Sequence, residues 1–338
     1  MQALYWNSFP KNKVKCLLCP HKCLLSSNKK GLCCVRLNDG GTMKSLIDCK
    51  VASLALDPIE KKPLYHFYPS SQILSAGTLG CNFSCVFCQN HTLSHFKDNP
   101  EKVCRSVTPE ELCNIALRYK PEGNIGIAYT YNEPSVWYEF VLESSKLTKQ
   151  AGLKNVLVTN GFLNQEPLNA LIPYIDAVNV DIKSISPQFY KKYCRGTLRN
   201  VLDYCKTAAQ KCHIEITNLV IPSLNDSQED IVKLAKWIAK NLGKDAPLHL
   251  SAYRPQFKMS LPSTPADVLE KSRDLALKFL SYVYIGNIYI KNSADTFCPV
   301  CKRLLIERKG FGVLLNKQQG TNCPFCSCKI NVIKGDTI

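Results

Sequence analysis

The chain has 338 residues, 45% of them apolar, and carries 43 basic against 27 acidic side chains, a formal charge of +16. That is enough for one barrel-sized domain with a full core and small appendages, and no apolar run approaches the roughly 18 residues that cross a membrane. The N-terminus has no apolar signal core, so the expected location is cytoplasmic and the nineteen cysteines read as metal ligands rather than disulfides.

The positive charge suits an acidic or polyanionic partner such as RNA, and suits a lysine-rich solvated surface equally well. The lysines are spread along the chain rather than gathered in one block.

In chain order, residues 1–50 form a Cys-rich, loop-like N-terminal metal module. Cys16, Cys19, Cys23 and Cys33 supply four ligands for zinc or for a second iron–sulfur cluster, and so short a segment needs such a staple to order itself. His21 is either a substitute ligand or a surface residue.

Residues 51–290 alternate strand and helix. Strands are expected at Ile73–Thr78, Ile125–Thr130, Asn155–Thr159, Ala177–Asp181, Ile214–Ile221 and Leu248–Ala252, with a seventh at Tyr282–Ile285. Residues 51–71 are expected only to lead into the first. Thr108-Pro109-Glu110-Glu111 is a capping box that starts a helix. Others start at Pro134, at Asp226 or Ser227, and at Thr264-Pro265, the last running to about Leu280. Six strand–helix units predict a parallel sheet with right-handed crossovers, curved into a partial (β/α)6 TIM-like barrel. A flat doubly wound sheet ranks second, because no phosphate-binding glycine fingerprint follows any strand.

Directly after the first strand comes Gly77-Thr-Leu-Gly-Cys81-Asn-Phe-Ser-Cys85-Val-Phe-Cys88. A 4Fe–4S cluster fully held by protein uses four thiolates, so three in one tight loop leave one iron open. A catalytic cluster needs that open position. The competing reading is a zinc knuckle, which usually needs a second separated pair. Polar motifs follow the later strands: Asn132-Glu133, Asn160, Asp181-Ile-Lys183, Glu215 with Thr217, and Tyr253-Arg254. In a parallel barrel these strand ends share one mouth.

Residues 291–338 form a C-terminal metal-knuckle module. Cys298-x2-Cys301 and Cys323-x2-Cys326 are spaced like a structural zinc site of zinc-ribbon or rubredoxin-like type, with Cys328 as a spare thiol.

The cysteine loop resembles that of radical S-adenosylmethionine (radical SAM) enzymes. Together with Cys16-x2-Cys19-Pro-His-x-Cys23, Glu60-Lys-Lys-Pro-Leu-Tyr-His-Phe67, Tyr129-Thr-Tyr-Asn-Glu-Pro134 and Asp176-Ala-x-Asn-Val-Asp-x-Lys183, the chain resembles the AmmeMemoRadiSam-system enzymes, relatives of pyruvate formate-lyase activating enzyme. The resemblance implies a 4Fe–4S cluster on Cys81, Cys85 and Cys88. It also implies bound S-adenosyl-L-methionine, cleaved by one electron from a donor to a 5′-deoxyadenosyl radical that takes hydrogen from a macromolecule. It places Asn132 and Glu133 near the SAM amine, Asp181 and Lys183 near the ribose and carboxylate, and Asn160 nearby. Memo-like and AMMECR-like proteins are the implied companions. Asn-Glu-Pro stands where activases carry Gly-Gly-Glu, and Pro69-Ser70 where relatives carry Pro-Gly, so a glycyl-radical substrate does not follow. The alternatives are modification or methylation of an RNA base and a non-catalytic zinc-binding adaptor.

Overall fold

A computed structural model of the chain describes residues 3–318 and 320–334. Its centre is one eight-stranded sheet. The strands are β1 (Ser53–Pro58), β2 (Gln72–Gly77), β3 (Asn124–Tyr129), β4 (Lys154–Thr159), β5 (Ala177–Asp181), β6 (His213–Val220), β7 (Leu248–Ala252) and β8 (Val283–Gly286). They lie in sequence order, with β2 to β8 all parallel.

One expectation needs correction: β1 adds an antiparallel neighbour to β2 that residues 51–71 were not expected to form. The run of parallel strands has seven members, the seventh being the expected one, displaced by one residue to Val283–Gly286. The sheet is open, with β1 and β8 unpaired to each other as its two edges.

The parallel strands are largely apolar and buried on both faces, as parallel strands covered by helices should be. The longer helices among the described residues are α1 (Pro109–Arg118), α2 (Tyr138–Gln150), α3 (Gln165–Leu171), α4 (Leu198–Ala209), α5 (Gln228–Asn241) and α6 (Ala266–Ala276). Thr108 and Glu111 form the predicted capping box of α1, and Ser227 caps α5 through the Asp230 amide at 3.1 Å. At Pro134 the chain first makes a 3₁₀ turn and becomes α-helical only at Tyr138. The last helix stops at Ala276, four residues short of the expected Leu280.

The N-terminal residues are not loops throughout. Trp6–Phe9, Lys13–Cys16 and Leu24–Leu25 make a small antiparallel sheet, and Arg36–Asp39 pairs with Thr42–Ser45. Arg36 is buried and ion-paired with Glu139 of α2, which ties this module to the helical layer.

The C-terminal residues form a three-stranded antiparallel sheet at Thr296–Phe297, Leu304–Lys309 and Gly312–Asn316. Arg308 fastens it to the main sheet. Its guanidinium donates to the Tyr65 carbonyl at 2.8 Å and faces Glu60 at 3.7 Å, both side chains being fully buried.

Candidate functional site

The residues between β1 and β2 explain how the sheet presents a site. Alternation along β5 puts Asn179 and Asp181 on one face, and along β6 it puts His213, Glu215 and Thr217 on one face. The segment Glu60–Phe67 runs across that face. Asn179 donates to the Pro63 carbonyl at 2.7 Å, and the Glu215 carboxylate accepts from the Tyr65 and His66 amides at 3.0 and 2.7 Å. Glu215 also meets His213 and His249 at 2.9 and 2.6 Å. Four donors compensate its burial, and although desolvation opposes it, the two histidines hold its carboxyl well below the usual range. Glu215 therefore anchors the floor of the cleft and does not open into it. This corrects the expectation that it joins the polar groups at the mouth.

Above that floor lies a cleft of about 410 Å³ at the C-terminal strand ends. Cys81, Cys85 and Cys88 line it, and so do Asn132, Glu133, Asn160, Asp181 and Lys183. All eight residues singled out by sequence for the cluster and SAM are thus brought to one cavity. Their side chains are used very differently.

The cysteine loop is held by backbone contacts on both sides. The Ser84 amide donates to the Cys194 carbonyl at 2.9 Å, and the Val86 amide to that of Tyr193 at 3.1 Å. Gly80 has φ of +85°, and a Cβ there would lie 2.7 Å from the Cys33 carbonyl and from Val35. Only glycine tolerates both that dihedral and that approach. Phe83 and Phe87 are buried beside the thiols, as expected of residues that exclude water.

Asn132 is a bracket for this loop. Its Oδ1 accepts from the Thr78 amide at 3.0 Å, and its Nδ2 donates to the Gly80 and Leu79 carbonyls at 3.1 and 3.3 Å. Glu133 is a staple between strand ends. It accepts from the Ser135 amide at 3.0 Å, the Thr159 hydroxyl at 2.7 Å and the Asn160 amide at 2.8 Å. Burial still pushes its carboxyl above the usual range. Asn160 donates to the Cys81 sulfur at 3.6 Å and to Asn82 Oδ1 at 2.8 Å, so it supports a ligand thiol directly.

Asp181 and Lys183 face the cavity as an ion pair. They pair at 2.6 Å, with Asp181 about a third exposed. Burial alone would lower the Lys183 pKa, but Asp181 and the nearby Cys85 thiol outweigh it and hold it raised. Asn225 and Asn218 fix the turn that carries this pair by donating to the Lys183 and Ile182 carbonyls at 2.7 and 2.8 Å.

Several cleft residues escaped the sequence reading. Lys62, almost fully buried, pairs with Asp57 at 2.7 Å, and Asp57 also accepts from the Tyr131 hydroxyl at 2.6 Å. Desolvation lowers the Lys62 pKa to about 8. The signal was present, since Lys62 lies in the Glu60–Phe67 block, but nothing in a lysine's sequence context announces burial. Thr130 and Ser251 add hydroxyls beside that of Thr217, which the strand-end pattern already marked, and Phe311 reaches the rim from the C-terminal sheet. Of the other strand-end residues, Tyr253 is buried with its hydroxyl on the Met259 carbonyl, and Arg254 lies outside this cleft, bonded to the Asn287 carbonyl.

The residues fit an open-sided iron–sulfur cluster. Three thiols surround a cavity rather than a point, one accepts a hydrogen bond from Asn160, and Cys88 meets the Ser94 hydroxyl at 3.0 Å.

The terminal cysteine sets differ from each other. In the C-terminal module the ligand atoms of Cys298, Cys323, Cys326 and Cys328 all lie within 4.8 Å of one another. Cys301 stands 3.8 Å from Cys323, so five thiols gather where four were expected. Cys16, Cys19, Cys23 and Cys33 line a separate small enclosed cavity. His21 faces that cavity too, but its Nε2 is bonded to the Asn82 carbonyl at 2.7 Å.

Comparison with known proteins agrees with this geometry. Residues 76–237 match the Radical SAM superfamily. The chain is 41% identical over 338 residues to the uncharacterized protein MJ0808 of Methanocaldococcus jannaschii, covering 98% of this chain and 99% of that one. It is 28% identical to the pyruvate formate-lyase-activating enzyme of Clostridium pasteurianum over 52% of this chain and 72% of that enzyme. In fold it resembles Streptococcus suis SuiB bound to S-adenosylmethionine, with a TM-score of 0.50 at 12% identity, over 69% of this chain and 53% of SuiB. The chain therefore belongs to the family of MJ0808, carries a radical SAM domain, and counts pyruvate formate-lyase-activating enzymes among its homologues.

Proposed function

We propose that the protein reductively cleaves S-adenosyl-L-methionine and uses the resulting radical to abstract hydrogen from a macromolecule, in the manner of an activating enzyme. The observation that carries this reading is the meeting of Cys81, Cys85 and Cys88 with the Asp181–Lys183 pair in one cleft. A three-thiolate 4Fe–4S cluster, when bound, supplies one electron to SAM, giving methionine and a 5′-deoxyadenosyl radical.

The chain's own residues bind, orient and seal. Lys183 offers its cation to the methionyl carboxylate, and Asp181 its carboxylate to the ribose hydroxyls. The Thr217 and Ser251 hydroxyls line the same wall. Asn132, Glu133 and Asn160 keep the loop and strand ends fixed, so that the cleft is preorganised before SAM arrives. Phe83 and Phe87 limit the access of water to the thiols.

A protein substrate is favoured over RNA by the likeness to a pyruvate formate-lyase-activating enzyme. Memo-like and AMMECR-like proteins are the proposed companions, with an external one-electron donor. The C-terminal thiols hold zinc in this reading. Their closest separations of 3.3 to 3.8 Å suit a tetrahedral ion with bonds of about 2.3 Å, which sets its thiolates about 3.8 Å apart.

Anaerobically reconstituted wild-type protein should form 5′-deoxyadenosine from SAM in the presence of a reductant, and Cys85→Ala should form none. A reconstituted wild type with intact iron that never cleaves SAM would overturn the proposal.

A further inference from the structure

The three cysteine sets invite comparison with one another. Among the described residues, the C-terminal set brings its ligand atoms within 4.8 Å of one another, the spacing of a single ion. Neither Cys81, Cys85 and Cys88 nor the N-terminal four form such a group. In both of those sets the thiols are arranged around a void: the cleft for the first, and for the second an enclosed cavity walled by Cys16, Cys19, Cys23 and Cys33 with Leu18 and Val136. A cubane cluster separates its thiolates more widely than one zinc ion does, because each ligates a different corner.

A second observation points into the same cavity. The Arg36 side chain, 1% exposed, lines it and donates from Nη1 to the Cys16 sulfur at 3.6 Å, while its Nε has no partner. A buried cation held by Glu139 and turned towards thiols is suited to an anionic thiolate cluster. Gly31 belongs to the same wall, and a Cβ there would touch the Cys33 and Cys23 sulfurs at 3.7 and 3.8 Å.

We propose that Cys16, Cys19, Cys23 and Cys33 hold a second 4Fe–4S cluster, fully ligated by thiolate, back to back with the first. A single strip of chain separates the two sites. Gly80 packs on the Cys33 carbonyl, Cys81 faces the cleft, and Asn82 lines the N-terminal cavity while its carbonyl accepts from His21. With four thiolates this cluster has no open iron, so it binds no SAM.

The test is a metal count on anaerobically reconstituted protein. Wild type should hold about eight irons and eight sulfides with one zinc, where a zinc site at the N-terminus gives about four irons and two zincs. The triple variant Cys81→Ala/Cys85→Ala/Cys88→Ala should keep about four irons, and its reduced electron paramagnetic resonance spectrum should not respond to SAM. The reduced wild type should show spin coupling between two neighbouring clusters. Cys34→Ser, whose thiol turns to the Leu32 carbonyl and not to the cavity, should keep the wild-type count. Four irons and two zincs in the wild type, or a folded triple variant without iron, overturns the proposal. The wild-type count needs no variant to fold. It also stands apart from SAM cleavage, so the two proposals fail separately.

Discussion

Replacing Asn132 with leucine separates a bracket from a ligand-binding side chain. Leucine has a similar shape but can neither accept from the Thr78 amide nor donate to the Leu79 and Gly80 carbonyls. All three backbone groups belong to the buried start of the cluster loop. At about 1 kcal/mol or more for each unpaired buried group, the substitution should cost about 3 to 4 kcal/mol. The loss falls on the loop that carries Cys81, so iron should be lost with stability. The assay is urea unfolding of the metal-free protein, with iron and sulfide counted after reconstitution. Asp181→Ala serves as the contrast, because its carboxylate is hydrogen-bonded to Lys183 alone among the described residues; it should keep full iron and lose affinity for SAM. If Asn132→Leu unfolds like the wild type and holds a full cluster but fails to bind SAM, the bracket assignment is wrong and the side chain serves the ligand.

Gly80→Ala forces a methyl against the Cys33 carbonyl at a φ of +85°; the dihedral alone costs about 1 to 2 kcal/mol. Melting temperature and iron content should therefore fall together, and an unchanged pair of values contradicts the close approach. Gly196→Ala places a methyl on the Phe83 ring, so the cluster should become more sensitive to air, read as faster bleaching of its visible absorbance, while equal bleaching rates refute the packing. His66 is buried, with Nε2 on the Tyr284 hydroxyl and the other nitrogen on the Asn331 carbonyl, and burial depresses its pKa to about 3. The unfolded chain titrates near 6.5, so between about 6.5 and 3 it binds a proton the native state refuses, and stability falls as pH drops. From pH 7 to pH 5 the loss from this residue is about 2 kcal/mol, and His66→Gln should remove that part of the pH dependence in chemical unfolding.

Local rules recovered whatever the chain encodes locally. The strand positions followed from short apolar runs, with β5 and β7 matching residue for residue and β2, β3 and β6 displaced by one. Helices α1 and α5 announced themselves through side chains that cap them. The unforeseen helices α3 and α4 lack that signal: Asn164 and Thr197 precede them but turn their side chains to the Leu17 carbonyl and to Asn200. β1 stayed hidden because it is a half-exposed edge strand ending in Pro58, where alternation is weak. In the site, spacing brought Asn132, Glu133, Asn160, Asp181 and Lys183 to the right cavity. It could not show that Asn132 is spent on the backbone of Thr78, Leu79 and Gly80, nor that Glu133 is spent on the Thr159 hydroxyl and the Asn160 amide, because those partners lie on other strand ends.

The Glu60–Phe67 segment has a consequence for how the chain can be divided. Composition changes near residue 290, and a biochemist seeking a smaller catalytic fragment would cut there. Yet Glu60 faces Arg308 in full burial, His66 leans on Asn331, and the Tyr68 amide donates to Ile333. Removing the last fifty residues would leave a carboxylate without its cation under the floor of the cleft. The tail is not severable: it is a keystone set from below, and the chain is best handled whole.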